Sequence, residues 1–232
     1  GIAIGVVILP QLSKYVHLKK KNKILLIQNK ALELSMFLSL PASVALLISS
    51  EEITSALFGY GSFSQEAVYN SSRALYFFSL GLPAFALIKV FSSFFFANHD
   101  TKTPFYISLV SIILNIIISI YYFRIIGFII IPIATTISSW FNSIMLFIFL
   151  KNKNLFTFNN KFIINFFKII FASFFMGVFF KYLIIILQHQ LSYNNNFKSF
   201  YLILSVLLAL VFYLLITFII KAFNSNDLKL KY

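Results

Sequence analysis

KTPFYISLVSIILNIIISIYYFRIIGFIIIPIATTISSWFNSIMLFIFLK, residues Lys102–Lys151, decides the fold class of this chain. Between its terminal lysines it carries a single charge, Arg124. A helix needs about 20 apolar residues to cross a hydrocarbon core, and this run is more than twice that length. Its one break lies around Arg124–Gly127, so it reads as two spans, 104–123 and 127–150, joined by a tight turn. Outward from it, apolar runs bounded by short polar breaks give further spans at 31–49, 74–97, 162–187 and 200–221. A stub of about nine apolar residues opens the chain, too short to cross by itself. The predicted class is all-α: a polytopic membrane helical bundle with six full transmembrane helices and a partial N-terminal one. The implied parts are 1–13, the tail of a truncated transmembrane helix; 14–150, a four-helix transmembrane part; and 151–232, two further C-terminal helices.

Composition agrees. Of 232 residues, 60% are apolar and 11% charged, against roughly 45–50% and about 25% in soluble domains. So few charges cannot coat a water-facing surface, which excludes a soluble globular enzyme. The net charge of +13 would suit nucleic acid only with a solvated basic face, and a chain this apolar has none; no nucleic-acid partner is expected. Without cysteine there is no disulfide framework or thiolate metal site. No basic leader followed by a small-residue cleavage site opens the chain, so it reads as the C-terminal part of a longer protein.

Sorting the cations by alternate loops turns most of the excess into topology. One side collects Lys14, Lys19, Lys20, Lys21, Lys23 and Lys30, then Lys102, then Lys151, Lys153 and Lys161, then Lys221, Lys229 and Lys231. The other side holds Arg73, Arg124, Lys181 and Lys198, with Glu51, Glu52 and Glu66. The positive-inside rule places the first loop and the C-terminus in the cytoplasm.

The outer connection 50–72 has internal pattern. Ser49-Ser50-Glu51-Glu52 has capping-box spacing and predicts a short helix over EEITSALF. Gly59-Tyr60-Gly61 ends it, and Ser64 is placed to cap a second helix leading into the next span. Pro41, Pro83 and Pro132 fall inside predicted spans, where each removes a backbone bond and favours a kink.

No enzyme constellation is present: no His-Glu-x-x-His, no glycine-rich phosphate loop and no Gly-x-Ser-x-Gly. His17, His99 and His189 fall in predicted loops without helical spacing and are read as non-ligands, so no metal is expected. Lys89 stands about eight residues, or about 12 Å, inside its span. Snorkelling covers part of that depth. The sharper reading is a water-filled cavity holding an anionic head group, because no carboxylate lies at comparable depth. Arg73 is grouped with Lys89 as a candidate cavity cation. Asn115 and Ser119 share a helix face and Thr135 follows on the next span. These neutral oxygens form a candidate weak cation site, although small polar residues more often act as interhelical glue. The loop Asp100-Thr101-Lys102-Thr103-Pro104 is a dense polar connection. Asp100 or Thr101 suits the cap of the next helix, and Pro104 its first turn.

The succession ILPQLS (Ile8–Ser13), NKALELSMFLSLPASVAL (Asn29–Leu46), LFGYGSF (Leu57–Phe63), ALYFFSLGLPAFALIKV (Ala74–Val90), FFANHDTKTP (Phe95–Pro104) and SSWFNS (Ser138–Ser143) resembles the lipid II flippase family, MurJ/MviN, of the multidrug/oligosaccharidyl-lipid/polysaccharide exporter superfamily. The resemblance runs in order from residue 1 to about 150, and the last two spans fit in number and place. It implies a fourteen-helix fold of two six-helix lobes and two extra helices that form a groove for a polyprenyl tail. This chain would hold the end of the eighth helix and the six that follow, with the N-terminal lobe as its missing partner. The implied activity is translocation of lipid II, the undecaprenyl-linked peptidoglycan precursor, from the inner to the outer leaflet by alternating access. No bond is broken, so no enzyme and no cofactor is implied; coupling would come from a sodium ion or the membrane potential. The resemblance places a sodium-type site around Asn115, Ser119 and Thr135, with Ser119 where Asn or Asp is more usual. Asp100–Pro104 would serve as a cytoplasmic gate loop, and Lys89 would add positive potential to the cavity. The implied location is the bacterial cytoplasmic (inner) membrane, with lipid II and membrane lipids as partners. Another lipid-linked oligosaccharide or drug exporter of the superfamily would share the helix count but not the Asp-Thr-Lys-Thr-Pro and Leu-Phe…Gly…Phe pair. A membrane glycosyltransferase would need paired carboxylates or a histidine at a membrane face. A non-catalytic membrane scaffold leaves the deep Lys89 unused.

Overall fold

The computed structural model describes residues 2–222, with side chains from Ile8 onward. Lys229 and Lys231, counted above among the C-terminal cations, lie outside the described residues. Those residues form helices and no strand: α1 (Ile2–His17), α2 (Lys21–Ile48), α3 (Ser50–Phe58), α4 (Gln65–Ala97), α5 (Lys102–Ile126), α6 (Ile130–Asn152), α7 (Asn160–Ile186) and α8 (Lys198–Ile219). The class is all-α and polytopic. In a hydrocarbon core the backbone must satisfy itself, and helices do so within one segment.

Among the described residues, five segments are long and apolar enough to cross a membrane, and the third, Lys102–Asn152, is 51 residues long. It folds back on itself as a helical hairpin, α5 against α6. A single 3-10 turn, Gly127–Ile129, makes the reversal. Gly127 adopts φ 72°, ψ −154°, a region open essentially to glycine alone. Across the hairpin the Asn115 amide donates to Thr135 Oγ1 at 3.1 Å and the Asn142 amide to Ser108 Oγ at 3.4 Å. The outer face of α5 is apolar and bare: Ile113, Ile116, Ile117 and Ile120 are all exposed. On a soluble protein such a stripe is an aggregation liability; in a bilayer it is the face the lipid wets.

Several local expectations need correction. The helices outrun their apolar cores. α2 starts at Lys21 and α4 at Gln65, not at 31 and 74, so Lys21, Lys23 and Lys30 ride on a helix rather than in a loop. The capping box does not form. Ser49 is a one-residue joint between α2 and α3, and its hydroxyl donates back to Ala45 O at 2.9 Å. Its backbone carbonyl still accepts from Ile53 N–H at 2.8 Å. Pro132 lies in the first turn of α6, where its missing donor leaves no gap, while Pro41 and Pro83 are inside α2 and α4. His17 closes α1 rather than lying in a loop. The Ser64 cap does form, accepting from Ala67 N–H at 3.2 Å.

Four helices stop in the same way. α1, α4, α6 and α8 are followed by a residue of positive φ: Lys19 (53°), His99 (59°), Asn154 (52°) and Lys221 (49°). The next N–H then reaches back five residues, as from Lys20 to Tyr15 O and from Asp100 to Phe95 O. This is the Schellman closure that satisfies the last carbonyls, here without glycine.

Packing groups the chain into two units. The first comprises residues up to Ser39 with Leu80–Ile164. Its core is an aromatic cluster in which Phe91, Phe94, Phe147 and Phe158 surround Phe156 at ring distances from 5.0 to 6.4 Å. Phe156 belongs to the α6–α7 connection, held by α2: Gln28 donates to Leu155 O and Asn29 to Thr157 O, and Asn29 Oδ1 accepts from Asn159 N–H. α4 and α6 meet where Gly81 leaves room for Thr136, whose hydroxyl a Cβ would meet at 3.0 Å. There the Trp140 indole donates to Leu80 O. The second unit comprises Leu40–Ser79 with the residues from Asn165 on. In it α7 approaches α2 at Gly177, where a Cβ would meet Val44 at 2.6 Å. Phe179 of α7 stacks on Phe212 of α8 at 4.3 Å. The stripe of phenylalanines on α7 divides: Phe162 and Phe180 are buried, while Phe167, Phe171 and Phe174 face outward.

Candidate functional site

In the first unit, α1, α4 and the start of α5 line an open cavity of about 730 Å³. Leu9, Ile88, Phe96 and Phe105 supply its apolar wall, and Ser92, Thr101 and Ser108 contribute hydroxyls. Lys89 lines it and is exposed. The Lys89 ammonium has no ion-pair partner among the described residues. Lys89, read from the sequence as a charge inside an apolar run, thus lies at this cavity. A cavity with one free ammonium, several hydroxyls and an apolar wall suits an anionic group attached to something oily. Arg73 does not line this cavity. It stands exposed on α4 within the second unit, its guanidinium 5.6 Å from the Tyr69 ring centre one helical turn away.

The loop 100–104 borders the cavity, with Thr101 and Pro104 in its wall. Asp100 caps α5. Its Oδ1 accepts from Thr103 N–H at 3.0 Å and its Oδ2 from the Thr103 hydroxyl at 2.7 Å. Lys153, just past α6, donates to Asp100 Oδ2 at 2.6 Å and to Thr103 Oγ1 at 2.9 Å. Partial burial pushes the Asp100 carboxyl up, but the Lys153 ammonium and the two Thr103 donors outweigh it and hold the pKa at about 2. The loop thus ties together the ends of α4, α5 and α6. Lys102 is exposed and takes no part in this knot. Lys153 was not singled out from the sequence, because 53 residues separate it from Asp100 and no local spacing reveals the pair. His99 of the same turn meets His17 edge-to-face at 5.7 Å.

Asn115 and Thr135 meet across the α5–α6 hairpin, and Ser119 lies four residues further along α5. Asn115 Nδ2 donates to Thr135 Oγ1 at 3.1 Å and Ser138 Oγ at 3.3 Å, and the Thr135 hydroxyl donates to Ile131 O. In this orientation the amide's NH₂ faces the two hydroxyls, a hydrogen-bonded arrangement of the kind that joins membrane helices. Ser119 Oγ is buried without a hydrogen-bond partner. On the outer connection, burial raises the Glu52 pKa, its own backbone N–H lowers it, and neighbouring Glu51 raises it further, for a net upward shift.

The family model described as Lipid II flippase MurJ matches residues 1–202. A probable lipid II flippase MurJ of Rhizobium meliloti is 37% identical over 147 residues, 63% of this chain and 28% of that relative. One from Thermotoga maritima is 34% identical over 174 residues, 73% of this chain and 33% of that relative. The chain therefore spans about a third of the length of these curated relatives. A solved structure of lipid II flippase MurJ in an inward closed conformation superposes with a TM-score of 0.73 at 25% identity. The superposition covers 94% of this chain and 42% of that one.

Proposed function

The chain belongs to the lipid II flippase MurJ family, and from that premise we propose that it works in moving lipid II from the inner to the outer leaflet of a bacterial cytoplasmic membrane. It does so by alternating access, as a transporter and not an enzyme, with its C-terminus in the cytoplasm. The observation that carries this reading is Lys89, exposed and without an ion-pair partner among the described residues, in a 730 Å³ cavity. A pyrophosphate-bearing head group must leave water while its prenyl chain stays in lipid. A cation held ready in a partly apolar chamber lowers the cost of that step. The outward-facing phenylalanines of α7 and the apolar surface of α8 offer the tail a hydrocarbon groove. The knot at Asp100 keeps the cytoplasmic ends of three helices together while the chamber opens and closes. Coupling to a sodium ion or to the membrane potential belongs to the same proposal. Asn115, Ser119 and Thr135 would hold such an ion only after the Asn115 carboxamide turned over.

The test is lipid II translocation by the full-length protein in vesicles. Lys89→Ala should slow it by roughly ten-fold or more, the scale of one lost charge-assisted contact, and Lys89→Arg should retain most of the rate. An unchanged rate in Lys89→Ala removes the cavity role.

A further inference from the structure

Lys198 was counted from the sequence as one more outer-side charge. In the second unit its side chain is 1% exposed. The ammonium donates to Gly59 O at 2.6 Å and to Tyr193 O at 2.7 Å. It also lies 4.3 Å from the ring centre of Tyr60 and 4.6 Å from that of Tyr193. Two carbonyls and two aromatic faces thus enclose a cation, and no carboxylate pairs with it among the described residues.

Three further bonds around the cage join the same two stretches that Lys198 and Gly59 O join. Ser199 gives its only hydroxyl proton to Ala56 O at 2.6 Å, so in its 2.7 Å contact with Tyr60 it is the acceptor and the phenol is the donor. The Tyr193 hydroxyl donates to Phe63 O at 2.6 Å. Residues 56–63, the end of α3 and the connector to α4, are therefore fastened to residues 193–199, the entry to α8. Gly59 permits the approach: a Cβ there would meet Ser55 O at 2.6 Å and the Lys198 ammonium at 3.2 Å.

We propose that Lys198 is a positioning residue for transport, its caged ammonium fastening the α3–α4 connector to the head of α8 so that connector and C-terminal helices move as one body. The transport half rests on the flippase reading above; the fastening rests on the cage alone. A buried ammonium that loses one acceptor is costly unless water replaces it, which favours the complete cage. An unpaired cation held by carbonyls and π-faces also has no carboxylate to protonate.

The experiment uses the full-length protein in lipid vesicles, with Lys198→Ala, which empties the cage, and Lys198→Met, which fills it without charge. Amide hydrogen exchange across residues 56–63 should accelerate roughly ten-fold or more in both, the scale of one lost buried bond, with the α5–α6 hairpin unchanged. Adding n-propylammonium to Lys198→Ala should restore protection, and n-propanol of the same size should not. Lipid II translocation should slow in Lys198→Ala and recover with the amine. Exchange within two-fold of wild type, or equal rescue by amine and alcohol, overturns the fastening. Unchanged translocation with a loosened connector overturns the positioning role. A wild-type protein that moves no lipid II overturns the flippase reading and with it the transport role, while exchange and rescue still decide the fastening.

Discussion

Lys153 in the first unit and Lys198 in the second each join the ends of separate helices, one in contact with water and the other out of it. The Lys153 side chain is 43% exposed and bonds a carboxylate and a hydroxyl. Lys198 is buried and bonds only carbonyls, under two tyrosine rings. The first tie is an ion pair whose attraction water and salt weaken. The second has no opposite charge at all, and its strength comes from what would be left bare if it opened. Buried position and charge pairing are therefore independent properties, and the helix-end lysine expected to carry the higher energetic weight is the one without an anion.

The largest test of that contrast is stability in detergent. Lys198→Met should cost about 2–3 kcal/mol, since the buried Gly59 carbonyl loses a donor at ~1–3 kcal/mol and the part-buried Tyr193 carbonyl loses one at less. Lys153→Met should cost about 1 kcal/mol, the ceiling for an exposed pair. Chemical denaturation of the two variants reads both values. Equal losses would mean that the cage is open to water in solution and that the contrast fails.

Much of the fold was legible because a membrane span is an apolar length, and Lys102–Lys151 has one break in it. Glycine at 127 marked the reversal, and the structure uses it at a backbone angle other residues avoid. Helix starts were not legible, because hydropathy falls at the membrane edge while the helix continues, as it does from Lys21 into α2. The Ser49 cap was misread because the motif fixes spacing and not the competing acceptor; the preceding helix offered Ala45 O. In the site, Lys89 was legible as a charge in an apolar run. The Lys198 cage was not, since its acceptors are backbone carbonyls, which every residue carries. The Schellman stops at Lys19, His99, Asn154 and Lys221 escaped notice for lack of a glycine.

Acid separates the two ties next. Asp100 is held at about 2 in the folded chain against its ordinary 3.8. A carboxyl with a depressed folded pKa stabilises above its unfolded value, and that contribution is lost as pH falls from about 4 toward 2. The knot should therefore loosen over that window, by about 1 kcal/mol or less, and high salt should weaken it as well. The Lys198 cage contains no carboxylate. Exchange protection of the 100–103 turn measured against that of residues 56–63 should decline alone between pH 4 and 2. Parallel decline would show that acid acts on the whole bundle and not on Asp100.

The smallest effect concerns the lysine that ties nothing. Lys89 is exposed in its cavity and makes no ion pair among the described residues, so removing its charge leaves no buried group unsatisfied. Lys89→Met should change stability by no more than about 0.5 kcal/mol, the range of surface substitutions. That near-zero value is informative because the same position is expected to matter for translocation. A residue kept for packing loses stability and transport together, whereas one kept for its charge toward a cargo loses transport alone. A stability loss in Lys89→Met comparable to that of Lys198→Met would place Lys89 with the structural ties and leave the cavity without its cation.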